Sequence, residues 1–398
     1  METSGNSRTK IQRIKIEVDE PYEIFLGRGV IEKFPHIMEE YKNIFIKSAS
    51  FIVITDKNVA KHHLKKVTRL LKKSGYRSLS YIGRSGEKFK TPKELFKILR
   101  WMAKKGATRD SVVLCLGGGV VGDIGGFAAS IYMRGCTYIQ IPTTLLAMVD
   151  SSVGGKTAVD LPEGKNLVGS FYNPLLIIQD INFLKTLPPR EFTCGLAEII
   201  KAGLIFNEKL FSRIYKKFDI ELAECNKTAK KTKALDHELI KEKLMEDPDF
   251  LTGIIKSAVK VKAEVVREDE KEKGLRMLLN FGHTFAHGIE KIYKYKKFLH
   301  GEAVILGMQM AVELSSIIGM LEKKKSEKVL QFLKALPIPK PRKLRASRLY
   351  RAMLTDKKRK AGEQYFILLK DIGYGIYESG LPRQKVLKAI EKTLEYYS

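Results

Sequence analysis

Of the seven histidines in the 398-residue chain, His283, His287 and His300 crowd into two neighbouring motifs, LNFGHTFAHGIE and FLHGEAV. A spacing of four puts His283 and His287 on one helix face. Such a pair alone is more often polar surface than ligand. His300 precedes a glycine and heads an apolar run, a loop-to-helix position suited to holding a ligand. The cysteines (Cys115, Cys136, Cys194 and Cys225) are widely spaced and none lies near, so a nitrogen and oxygen metal site needs a carboxylate. Glu198 in GLAEIIKAG is the best candidate, because a charge on an apolar, small-residue helix is costly unless paired or bound to metal. Two histidines, one carboxylate and open positions make a catalytic zinc pattern.

A second constellation is the run SVVLCLGGGVVGDIGGFAAS, an apolar strand passing through Gly117, Gly118 and Gly119 into a small-residue helix. Gly117, Gly119 and Gly122 satisfy GxGxxG, a weak motif that gains weight from its strand–turn–helix context. Glycines there permit a tight turn and let backbone N–H groups approach a pyrophosphate at the helix start. Asp123 just beyond could meet a ribose or nicotinamide edge, or cap the helix. Thr143, Thr144 and Asp150 add polar groups after another strand. TDKNV, with Asp56, and GEKFK, with Glu87 and Lys90, do so after two more.

Basic residues complete the chemical inventory: Arg134 in YMRG, Lys156 in SSVGGKT, Lys165 beside Asn166 in PEGKN, Lys201 three after Glu198, and Arg276 with Asn280 in GLRMLLN. Each alone reads as a solvated charge. Together they describe a pocket able to hold a phosphate and a carboxylate.

Strand-like runs at 22–27, 51–56, 78–83, 111–117, 137–142 and 175–180 must present these groups, with amphipathic helical stretches such as 57–74 and 92–105 between them. The alternation predicts an α/β N-terminal Rossmann-like domain with a mostly parallel sheet, whose ligands bind beyond the strands' carboxyl ends. After LPPREF the pattern becomes helical, and a hairpin-like pair at 364–378 is the exception. This predicts an α/β domain over 1–185 and a mainly α-helical domain over 186–398. Residues 222–248 read as a Lys-rich insertion.

Composition narrows the function classes. With 44% hydrophobic residues the chain has material for a core, which excludes general disorder. No apolar run has membrane-span length and the N-terminus lacks a secretory apolar core, so a reducing, cytoplasmic setting is expected. The 72 Lys and Arg against 45 Asp and Glu leave +27, which points to an anionic partner. Nucleic acid is disfavoured, since no recognisable reading module is present. Residues 322–360 alone hold 15 Lys or Arg and three acids, mostly outside the chemical motifs.

The motifs GGGVVGDIGGFAASIYMRG, IPTTLLAMVDSSVGGKTAVDLPEGKNLVGSFYNP, LKTLPPREFTCGLAEIIKAG, KAEVVREDEKEKGLRMLLNFGHTFAHGIE and LHGEAVILGM, with a late DKK, resemble those of the 3-dehydroquinate synthases over about residues 14–390. The resemblance implies conversion of 3-deoxy-D-arabino-heptulosonate 7-phosphate to 3-dehydroquinate and phosphate in the shikimate pathway, with NAD and zinc or cobalt, at a site between an NAD-binding first domain and a metal- and substrate-binding second domain of a homodimer. Transient oxidation, phosphate elimination, reduction and an intramolecular aldol closure make up the reaction. Glu198, His283 and His300 would be the metal ligands. Asp56, Glu87, Lys90, Gly118, Gly119, Val120, Asp123, Thr143, Thr144, Thr186, Leu187 and Glu191 would serve NAD, joined by Asp150, Lys156 and Lys165. The substrate would meet those last three with Asn166, Lys201, Arg276, Asn280, His287 and Lys358 (or its neighbour Lys357), and Arg134 across the dimer interface. Lys156, Lys201, Arg276, Asn280 and His287 would carry catalysis. Inosose and valiolone cyclases share this pattern but take substrates lacking the carboxylate, for which Arg276 is the expected partner.

Overall fold

The computed structural model describes residues 11–44, 50–219, 235–272, 274–354 and 364–398. The chain packs into two units, Met1–Leu187 with Pro248–Lys271, and Pro188–Asp247 with Glu272–Ser398. The helix Pro248–Glu268 therefore belongs to the first unit although the chain has already entered the second.

The first unit is built on a seven-stranded sheet of β1 (Gln12–Ile16), β2 (Tyr22–Gly27), β3 (Ser50–Asp56), β4 (Arg77–Gly83), β5 (Val112–Gly117), β6 (Tyr138–Pro142) and β9 (Leu176–Asp180). Their order is β1-β2-β9-β6-β5-β3-β4, and only the β1–β2 pair is antiparallel. β3 and β5 read as unbroken apolar runs because both faces are covered. Phe51 and Val53 of β3 enter one core with Leu114 and Leu116 of β5. Ile52 and Ile54 enter the opposite core with Val113 and Cys115. This alternation is the two-residue period of a strand. β4 lies on one side of β3 and β5 on the other, so the direction of winding reverses there. Such a reversal opens a crevice at the strands' carboxyl ends. Asp56 closes β3 and Gly117 closes β5 at that point.

β1 escaped the sequence reading, and so did the antiparallel hairpin of β7 (Lys156–Leu161) and β8 (Gly164–Phe171). β8 is mostly exposed and its polar residues and glycines hide the strand signal.

The second unit is helical apart from the hairpin of β10 (Phe366–Asp371) and β11 (Tyr374–Glu378). Its centre is the helix His300–Ile317, buried from Gly301 to Ser315. An apolar sequence on all sides suits a helix with neighbours on all sides. The helices Pro189–Phe206 and His283–Ile292 pack against it. Among the described residues, no helix is long and apolar enough to cross a membrane. Cys115, Cys136 and Cys194 are buried free thiols. Cys225, Lys357, Lys358 and residues 222–234 of the Lys-rich insertion lie outside the described residues.

Candidate functional site

In the second unit, Glu198 lies midway along Pro189–Phe206 and is buried, as are its sequence neighbours Leu196, Ala197, Ile199 and Ile200. His283 opens His283–Ile292 and His300 opens His300–Ile317. One ligand atom from each of the three lies within 4.8 Å of the others. The Nε2 atoms of His283 and His300 stand 3.8 and 3.9 Å from Glu198 Oε1. Both rings are oriented from behind. His283 Nδ1 faces the Phe281 carbonyl at 3.2 Å, and His300 Nδ1 faces Glu290 Oε1 at 3.1 Å. Carbonyl and carboxylate oxygens accept, so in the neutral ring each Nδ1 carries the proton and Nε2 is the nitrogen left for a metal.

Glu198 is the electrostatic problem of this unit. Neither of its buried oxygens accepts an aligned hydrogen bond. The Lys201 ammonium lies against Oε2 as an ion pair, with both side chains nearly inaccessible. A buried carboxylate so sparsely satisfied suits a bound cation.

His287 follows one turn after His283, with their rings 5.8 Å apart. Asn280, His283, Thr284 and His287 line a cavity of about 50 Å³. Asn280 ends the short helix Leu275–Asn280, donating to the Met277 carbonyl and, at 3.5 Å, to Glu272. Arg276 on that helix is 2% exposed. Glu191 is exposed in the first turn of Pro189–Phe206.

In the first unit, Gly118 is the extended residue before the helix Gly119–Ile131. A side chain at Gly119 would bring its Cβ within 2.8 Å of Ser151 Oγ, so it would have to displace that hydroxyl. The N–H groups of Gly119, Val120 and Val121 open the helix without intrahelical acceptors. Thr143 donates its N–H to the Gly117 carbonyl at 2.9 Å, which ties the loop after β6 to the glycine turn. Thr144 Oγ1 accepts from the Ala147 N–H at 3.1 Å.

Asp123 sits inside the helix, so of its two sequence-based roles the N-cap is excluded. Its carboxylate pairs with buried Lys90, whose ammonium also donates to Asn166 Oδ1 at 2.5 Å. Burial still pushes the Asp123 carboxyl up to about 6. Lys165 pairs with Glu87 at 2.9 Å. Burial opposes ionisation of Glu87, but Lys165 and Lys90 bring it below its usual range. The β7–β8 hairpin supplies Lys156, Lys165 and Asn166.

Asp56 caps the segment after β3, accepting from the Asn58 N–H and Ser85 Oγ, each at 2.8 Å. Thr186 shares a 2.7 Å hydrogen bond with His63, and Leu187 beside it is buried. Arg134 is exposed, with a left-handed φ of 68°.

Lys262 was missed in the sequence. It sits on Pro248–Glu268, nearly buried, and its ammonium grips both the carboxylate and, at 2.6 Å, the carbonyl of Asp150. Its signal was available. Ile255, Ala258, Val259, Val265 and Val266 form the buried stripe of that helix, and Lys262 lies within it. The same argument had singled out Glu198.

Residues 80–194 match the family model for the 3-dehydroquinate synthase N-terminal domain, and 195–359 that for the C-terminal domain. A curated 3-dehydroquinate synthase of Thermodesulfovibrio yellowstonii is 40% identical over 366 residues, covering 91% of this chain and 95% of the relative. A solved 2-epi-5-epi-valiolone synthase from Streptomyces hygroscopicus, with NAD+ and Zn2+ bound, superposes with a TM-score of 0.78 at 25% identity, covering 96% of this chain and 99% of that one. A 2-deoxy-scyllo-inosose synthase complexed with carbaglucose-6-phosphate, NAD+ and Co2+ shares the fold, with a TM-score of 0.76 at 22% identity and the same coverage.

Proposed function

Because the chain belongs to the 3-dehydroquinate synthase family, we infer that it converts 3-deoxy-D-arabino-heptulosonate 7-phosphate to 3-dehydroquinate and phosphate, using NAD and zinc or cobalt. The observation that carries the reading is the triad of buried Glu198, buried His283 and half-buried His300 in the same unit as buried Arg276. Two Nε2 nitrogens and a carboxylate without aligned hydrogen bonds fit a divalent ion. When bound, NAD supplies a reversible hydride acceptor and the metal polarises the reacting alcohol.

The chain's own residues do the rest. The N–H groups after Gly118, with Thr143 and Thr144, hold the pyrophosphate, and Asp123 and Lys90 orient the nucleotide, with Asp56, Glu87, Thr186, Leu187 and Glu191 as further NAD contacts. Asp150, Lys165, Asn166, Lys201 and Asn280 bind substrate hydroxyls, with Lys358 as a further contact. Arg276 presents a planar fork to the substrate carboxylate, which inosose and valiolone precursors lack. Lys156 and His287 steady the phosphate and relay protons, while a phosphate oxygen of the substrate takes the C6 proton.

The first unit is the NAD-binding part in this reading, and the second holds the metal and the carboxylate. The working form is a homodimer in which Arg134 reaches the partner's phosphate site. In its support, Ile131, Met133, Leu167, Val168 and Phe171 are large exposed apolar residues, all on the hairpin or beside Arg134. Ser170 Oγ binds Ser130 Oγ at 2.8 Å, which joins β8 to the helix end next to Arg134. Three buried free thiols support a reducing, cytoplasmic setting.

The test is a coupled assay of the purified protein with NAD and Zn2+ or Co2+. It should release phosphate from the heptulosonate phosphate and yield 3-dehydroquinate, detected through a dehydratase, and a chelator should stop it. No release, or faster turnover of a heptose or hexose phosphate without the carboxylate, overturns the reading.

A further inference from the structure

Arg190 stands eight residues before Glu198 on the helix Pro189–Phe206 and touches none of the three candidate ligands through its side-chain bonds. Its guanidinium forks onto Glu302, Nε to Oε1 at 2.6 Å and Nη2 to Oε2 at 2.8 Å. The same Nη2 donates to the Lys297 carbonyl at 3.0 Å. Glu302 is completely buried and also accepts the Leu299 N–H at 2.8 Å. One guanidinium thus holds the chain three residues before His300 and two residues after it.

Backbone packing tightens the same junction. A Cβ at Gly301 would lie 2.4 Å from Cys194 Cα. Only a glycine lets the start of His300–Ile317 approach the backbone of Pro189–Phe206 this closely, one turn before Glu198. The helix that carries Glu198 therefore also carries the two features, Arg190 and the Cys194 backbone, that fix where His300 begins.

We propose that the Arg190–Glu302 fork is a positioning device for His300. It sets the 3.9 Å placement of His300 Nε2 against Glu198 Oε1, so metal affinity depends on an ion pair that binds neither metal nor substrate. The inference rests on the metal-site reading above. A bidentate guanidinium–carboxylate pair fixes orientation as well as distance, which a single point charge does not. Glu290 sets the ring's rotation through Nδ1, whereas the fork sets where the residue's backbone stands.

The experiment titrates metal-free protein with Co2+, reading the visible cobalt absorption and the Kd by chelator competition. Wild type is compared with Arg190→Gln, Arg190→Lys, Glu302→Gln and His300→Ala, each checked by circular dichroism and metal-free melting. In folded Arg190→Gln the Kd should rise about 10–100-fold, as for the loss of other groups that orient a ligand. Its cobalt spectrum should move toward that of His300→Ala. Arg190→Lys should recover part of the affinity. If Arg190→Gln does not fold, Arg190→Lys and Glu302→Gln carry the same comparison. A folded variant with the wild-type Kd and cobalt spectrum overturns the proposal. Wild-type protein whose cobalt binding is absent, or is untouched by His300→Ala, overturns the metal-site reading itself, a result distinct from failure of the fork.

Discussion

Replacing Glu198 with glutamine keeps its shape and removes its charge. In the metal-free protein that leaves the Lys201 ammonium, whose side chain is 5% exposed, without the carboxylate it lies against. Removing one partner of a buried ion pair costs about 3–5 kcal/mol, because the surviving charge stays desolvated. A unit of fewer than two hundred residues loses roughly 2–4 °C of melting temperature per kcal/mol, so Glu198→Gln should melt about 6–20 °C below wild type in chelator. The double variant Glu198→Gln/Lys201→Met removes both charges and should recover at least half of that loss. With Lys201→Met as the fourth protein of the cycle, the coupling should be at least about 2 kcal/mol. Adding metal at a hundred times its Kd should stabilise wild type by about 2.7 kcal/mol and leave Glu198→Gln unmoved, since it has lost a ligand. Thermal melts of all four, with chelator and with Zn2+, make the measurement. A single variant melting with wild type in chelator, or a double variant no better than the single, would refute the claim that Lys201 depends on Glu198.

Two further outcomes follow from the first unit. Burial raises the Asp123 carboxyl from 3.8 to about 6, so the folded state holds this proton more tightly than the unfolded chain. The stability gained is fully present below 3.8 and lost as pH rises through about 6. At 1.36 kcal/mol per unit the loss is about 3 kcal/mol. Denaturation midpoints between pH 4 and 7 should show this fall, and Asp123→Asn should flatten it; an unchanged slope in the variant counts against the buried carboxyl. For the dimer, Phe171→Asp with Val168→Lys should turn a sedimenting dimer into a monomer and lower the activity that Arg134 supports. A variant that sediments as wild type, or a wild-type monomer, rules this interface out.

The sequence was most informative where burial is symmetric or a charge is out of place. β3 and β5 could be read because both of their faces are covered, which gives four or more apolar residues in a row. β7 and β8 could not, because Asp160, Lys165 and Asn166 are spent on a polar network with Lys90 and Glu87 instead of on a core. The Pro248–Glu268 helix shows an apolar stripe in sequence, but a stripe does not say which unit receives it. Glu198 was legible from the cost of its charge. Glu290 and Glu302 were not, because a glutamate near the end or the start of a helix is ordinary in sequence. Only their contacts with His300 and Arg190 give them a task.

The same reasoning changes what the +27 charge means. Among the described residues only four lysines or arginines are buried: Lys90, Lys201, Lys262 and Arg276. A buried cation is costly unless a group at the same place repays its lost hydration. Lys90 meets Asp123, Lys201 meets Glu198, and Lys262 meets Asp150, each a residue singled out for NAD, metal or substrate. Arg276 belongs to the motif that precedes His283. Burial thus marks cations that sit beside residues singled out in the sequence, but it does not mark Arg134, Lys156 or Lys165, which are exposed. The basic stretch that begins at 322 contributes none of the four. A net charge counts every cation equally, whereas Lys90, Lys201 and Lys262 are cations whose lost hydration the fold offsets with a carboxylate beside each.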